Sequence, residues 1–92
     1  PETVPTAQPP SEAQMRRALE AQRAHVRRCV GADYDEGLLV NATFSNDGTV
    51  RTRIGRGPSR NARYCVQREL NQRARVAPFA SGRAALRYTF EF

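Results

Sequence analysis

From residue 38 the chain alternates, with Leu38, Val40, Ala42 and Phe44 on one phase and Leu39, Asn41 and Thr43 on the other. That is the period of a strand with one buried face. Asn46-Asp47-Gly48 predicts a hairpin turn in which Gly48 takes positive φ. Val50, Thr52 and Ile54 then continue the inward face on the return strand, and Arg51 and Arg53 face outward. A third alternation fills Arg83 to Phe92, where Leu86, Tyr88, Phe90 and Phe92 point inward and Arg87, Thr89 and Glu91 point outward.

Two segments carry the helical period instead. Ser11 and Gln14 form a capping box, and Met15, Leu19, Val26 and Cys29 recur at a, d spacing through Gln22, which predicts one helix ending at Gly31. Gly55 to Pro58 break the second strand. Ser59 or Asn61 then caps a helix whose stripe is Ala62, Cys65, Val66, Leu70 and Ala74, and Pro78 and Gly82 bracket its exit.

The predicted order is α-β-β-α-β. Each strand offers one apolar face, so both helices share one side of a three-stranded antiparallel sheet, and the fold class is an α+β two-layer sandwich. The third strand runs parallel to the second; placed beside the first it gives the order 2-1-3, with the third strand at an edge. Cys29 and Cys65 lie on the two helical stripes, and helices side by side on one sheet bring them within the Cα spacing of about 5.5 Å that a disulfide needs. The alternative is two unpaired core thiols.

With 92 residues the chain has room for one domain. Residues 1–10 hold four prolines among small and polar residues and read as a disordered linker, leaving residues 11–92 as the folded domain. No run of 18 apolar residues occurs. The chain begins at Pro1, which reads as a piece of something longer with its targeting segment upstream.

Fifteen basic residues, all Arg, against nine acids give a net charge of +6. That balance admits a polyanionic partner such as nucleic acid or anionic lipid, and a small basic nucleic-acid-binding module is the alternative reading. Arg without Lys, spread from Arg16 to Arg87, reads instead as a solvated basic surface. The inward aromatic set Tyr88, Phe90 and Phe92 leaves no ring on the outer sheet face for base stacking.

No chemical constellation assembles. Two Cys and the single His25 cannot build a four-ligand zinc site. Asp33, Asp35 and Glu36 form an acidic loop with no partner base, and Gly55-Arg56-Gly57-Pro58-Ser59 lacks the Gly-Lys-Ser/Thr of a phosphate loop. Cys29 and Cys65 stand too far apart in sequence for a redox dithiol motif. The expectation is no catalytic residue, no metal and no cofactor. Two cysteines in so small a domain fit an oxidising compartment.

Several segments carry a wider resemblance: Arg28-Cys29-Val30 at a helix end, Gly37 to Phe44, Asp47-Gly48-Thr49-Val50, Tyr64-Cys65-Val66, and the closing Tyr88-Thr89-Phe90-Glu91-Phe92. Together they resemble the C-terminal domain of TonB-like proteins, and more closely the AgmX/PglI-type C-terminal domain of myxobacterial envelope proteins, over about residues 14–92. One departure is Val76-Ala77-Pro78-Phe79, where that family often carries an aromatic-rich Phe-x-Pro stretch. The resemblance implies a monomeric, non-enzymatic periplasmic domain at the end of a longer chain anchored in the inner membrane, joined by a Pro-rich spacer and serving envelope transport or gliding motility. It also implies a protein partner in the periplasm or outer membrane, docked by strand addition on the edge carrying Arg83, Arg87, Thr89 and Glu91. Those side chains lead us to expect an acidic or mixed-charge partner segment.

Overall fold

The computed structural model describes residues 8–80 and 82–92. Most of the expected linker, residues 1–7, lies outside that range, whereas Gln8 and Pro10 line a groove with Gln14, Arg17 and Val76.

The elements run α1 (Glu12–Glu20), α2 (Arg23–Val30), β1 (Leu38–Phe44), β2 (Val50–Arg56), α3 (Arg60–Arg73) and β3 (Ala84–Phe90). The sheet is antiparallel throughout, in the order β2-β1-β3. It is the α+β arrangement that the alternation predicts. The buried set joins Leu38, Val40, Ala42 and Phe44 of β1 to Met15, Leu19, Val26, Val66 and Leu70 of the helices in one core, so the helices cover one sheet face.

One expectation needs correction: the first helix is two. Ser11 starts α1 as a complete capping box, its hydroxyl accepting from the Gln14 amide at 3.1 Å and its own amide donating to Gln14 Oε1 at 2.8 Å. The helix then stops at Ala21 and restarts after Gln22, whose φ of −100° and ψ of 12° leave the helical region. Gln22 sits in the stripe between Leu19 and Val26. A continuous helix would carry its amide into an apolar core, and a buried polar group without a partner is costly. The break lets α1 lie against β3 while α2 lies against α3.

Local chemistry shapes the rest. The hairpin closes through Ser45 N–H to the Thr49 carbonyl and Gly48 N–H to the Ser45 carbonyl, with Asp47 Oδ1 accepting from both the Thr49 amide and hydroxyl. Gly48 is required there: its φ is +89°, and a Cβ would stand 2.2 Å from the Val76 carbonyl oxygen. β2 runs past the predicted break to Arg56 by way of a bulge, since Leu39 faces Arg56 and Val40 faces Ile54, leaving Gly55 as the extra residue. Ser59, not Asn61, caps α3, accepting from the Ala62 amide at 3.1 Å. Ile54, Tyr88 and Phe92 of the inward set are only half-buried, at the margin of the core.

Cys29 at the end of α2 and Cys65 in α3 are disulfide-bonded, with a Cα separation of 5.5 Å. The bridge clamps the two helices that share the sheet.

Candidate interaction edge and open sheet face

In an antiparallel pair the residues of each strand alternate between those whose backbone groups point to the neighbour and those whose groups point away. The Ser45 to Thr49 bond sets the phase of the hairpin: Thr43 faces Arg51 and Asn41 faces Arg53 as hydrogen-bonded pairs. On β1 the intervening residues Val40, Ala42 and Phe44 therefore turn their backbone toward β3, where they meet Tyr88, Leu86 and Ala84. It follows that Ala85, Arg87 and Thr89 of β3 direct their amides and carbonyls away from the sheet. No described residue other than those of β1 pairs with that strand.

The opposite edge is blocked at its middle. By the same phase, Thr52 of β2 points its amide outward, and both that amide and the Thr52 hydroxyl donate to Asn71 Oδ1 of α3, at 2.9 and 2.8 Å. Thr52 is 3% exposed. Beyond the strand, the Val76 amide donates to the Gly48 carbonyl, the Phe79 amide to the Asn46 carbonyl, and Asn46 Nδ2 to the Phe79 carbonyl. A polar helix side chain and a returning loop thus occupy the β2 side.

Of the four residues assigned to the edge, Arg87 and Thr89 lie in β3, two apart, so both of their amides face outward together. Arg83 and Glu91 flank the strand rather than belong to it. Glu91 is also partly engaged, because its carbonyl accepts from Arg23 Nη1 at 2.7 Å. That Arg23 is the residue the sequence hid. From the first turn of α2 it also pairs with Glu20 of α1, and its guanidinium lies 5.5 Å from the ring centroids of both Phe90 and Phe92. Phe92 stacks on Phe90, meets Tyr34 edge-on, and lies under Arg27 at 4.9 Å. Nothing in the helical period of Arg23 distinguishes it from Arg16 or Arg27, so its role is visible only in three dimensions. Asn71 was missed for the same reason: it sits one residue beyond the Leu70 stripe, where a polar residue reads as surface.

Glu20 also accepts from the Tyr88 hydroxyl. The Arg23 guanidinium, and less so Tyr88, hold the Glu20 carboxyl below its usual range, whereas burial and then the bond to Glu20 push the Tyr88 phenol up. These groups stiffen the core side of β3 and leave its outer backbone untouched. Asp33, Asp35 and Glu36 are exposed loop residues, and His25 accepts from Arg28 at 2.9 Å. The position of Gly57 is filled from one side by Arg63, since a Cβ there would lie 2.8 Å from the Arg63 side chain.

No protein-family model matches this chain, and no curated protein or solved structure does either.

Proposed function

We propose that this domain binds another protein by accepting an extended segment as a fourth strand on β3, without catalysis. The observation that carries the reading is the asymmetry of the sheet: Thr52 at the middle of the β2 edge is capped by Asn71, and the β3 edge presents Ala85, Arg87 and Thr89 with no described partner. Unpaired strand edges are templates for pairing, and backbone bonds give such complexes their affinity while side chains give selectivity. The Cys29–Cys65 bridge supports an oxidising compartment. With the resemblance to TonB-like C-terminal domains, this points to the periplasm, to a longer parent chain anchored in the inner membrane, and to a partner in the envelope transport or gliding-motility machinery.

The test is a selection of extended peptides of about seven residues, the length of β3, displayed against the folded domain. Amide shifts from the selected peptides should centre on Ala85, Arg87 and Thr89, and Arg87→Pro or Thr89→Pro should abolish binding while the fold persists. Shifts centred on β2 or the helices, or full binding by both folded proline variants, would sink the edge reading.

A further inference from the structure

The sheet face turned away from the helices carries a separate feature. Arg53, Asn41 and Arg87 stand directly opposite one another across β2, β1 and β3, and Arg51, Thr43 and Ala85 form the next row. Two strand spacings put Arg53 and Arg87 about 10 Å apart, and two residues along β2 put Arg51 and Arg53 about 7 Å apart. Arg83 joins them at the hairpin end, where a groove of about 690 Å³ runs from Arg83 over Asn41 and Thr43 to Gln67 and Asn71. A second groove of about 430 Å³ shares Arg51, Arg83 and Thr43 with it and adds Ser45 and Asn46.

Among the described residues, none of the acids lines these two grooves: Glu12 and Glu69 pair with an Arg of their own helix, Glu20 pairs with Arg23, Asp47 binds Thr49, and Glu91 stands at the other end of the outer face, beside Gly37 and Thr89. Among the described residues Arg51, Arg53, Arg83 and Arg87 have neither an ion pair nor a hydrogen bond, and all four side chains are exposed. Four like charges on one face repel, and among the described residues no carboxylate is within ion-pair distance of any of them.

The lining also selects among polyanions. It consists of guanidinium, amide and hydroxyl groups, with no ring and no aliphatic side chain. Single-stranded bases would find nothing to stack on and apolar side chains of a peptide nothing to cover them, while a duplex, held by its phosphates, is separated by the experiment below. Guanidinium forks match carboxylate or phosphate, and Asn41, Gln67 and Thr43 offer donors and acceptors to hydroxyls. We infer that this face is a binding site for an acidic polysaccharide, centred on Arg51 and Arg53 and sharing Arg83 and Arg87 with the rim of the β3 edge.

The experiment uses a fluorescent oligogalacturonate as probe, with a neutral dextran of equal length, duplex DNA and polyglutamate for comparison. Binding to the oligogalacturonate should weaken steeply with salt, because exposed charges are screened. Arg51→Thr with Arg53→Thr should weaken it about tenfold or more, the scale of one or two lost charge-assisted bonds. Thr keeps the strand preference, and both residues lie off the β3 edge, so binding of a peptide selected on that edge should be unchanged in this variant. Arg60→Ala with Arg68→Ala on α3 removes the same charge and should cost less than about twofold if the site is local. Equal losses from the two pairs, tighter binding of DNA or polyglutamate than of the oligogalacturonate at equal charge, or no binding of the oligogalacturonate at low salt would each overturn the inference.

Discussion

Arg23 shows how much one side chain can organise. It joins the end of α1, through Glu20, to the backbone beyond β3, through the Glu91 carbonyl, and it covers two aromatic rings on the way. The Glu20 carboxyl it pairs with is depressed in the folded state, with the Arg23 bond as the largest cause, so its contribution has a definite pH window. A depressed carboxyl stabilises the fold above its unfolded value near 4.5 and loses that contribution as pH falls through the folded value. Glu20→Gln should therefore lower the urea midpoint at pH 7. The gap from the parent should narrow progressively below about pH 4.5, where the parent's own carboxyl is neutralised. A gap that stays constant down to pH 2 would mean that Glu20 acts by packing alone. The pair is partly exposed, so the effect is modest.

At the scale of elements, the strands were legible because each rule they obey is local. Period two, an Asn-Asp-Gly turn and a third alternating run fix three strands, and the shortness of the hairpin fixes their antiparallel pairing. The break between α1 and α2 was not legible. No Pro or Gly marks it, and Gln22 becomes a breaker only because the core lies beneath it, a condition that periodicity along one segment does not contain. The disulfide was legible as a pairing because both cysteines fall on inward stripes, and it clamps α2 to α3. Closing 36 positions of chain contributes about 3.8 kcal/mol in the chain-entropy model. Replacing both cysteines by Ala should lower unfolding free energy by about 2 to 5 kcal/mol, measured by urea denaturation without reductant. Identical curves for parent and variant would show that the bridge adds nothing.

Over the whole molecule, the two sheet edges differ because of a single acceptor. Asn71→Ala would leave the Thr52 amide and hydroxyl buried without their acceptor, and each unsatisfied group costs about 1 to 3 kcal/mol. Asn71→Asp keeps an acceptor at the same place and should be milder, so urea denaturation of the two variants separates the hydrogen bonds from the packing of α3. Equal losses would show that packing closes the edge. The candidate site divides along the same line as the fold. Arg87 and Thr89 could be placed on the outer face from alternation and at an edge from the 2-1-3 order, whereas the blocking of β2 at Thr52 depends on a residue 19 positions away. The open face was legible as basic and ringless, but the lack of a carboxylate near Arg51 and Arg53 depends on where the helices take their acids.

The asymmetry of the edges also sets a valence. A sheet with two open sides can grow in both directions, and that is the geometry of a fibre. With the Thr52 amide in the middle of β2 already taken by Asn71, addition of a strand there is disfavoured and growth is directed to β3. On the proposed reading each domain would take up one segment on β3, and two domains meeting at that edge would form a pair whose open edges are both used. Asn71 thus does two jobs with one oxygen: it satisfies Thr52 and, under the strand-addition reading proposed above, biases the domain toward a single partner strand.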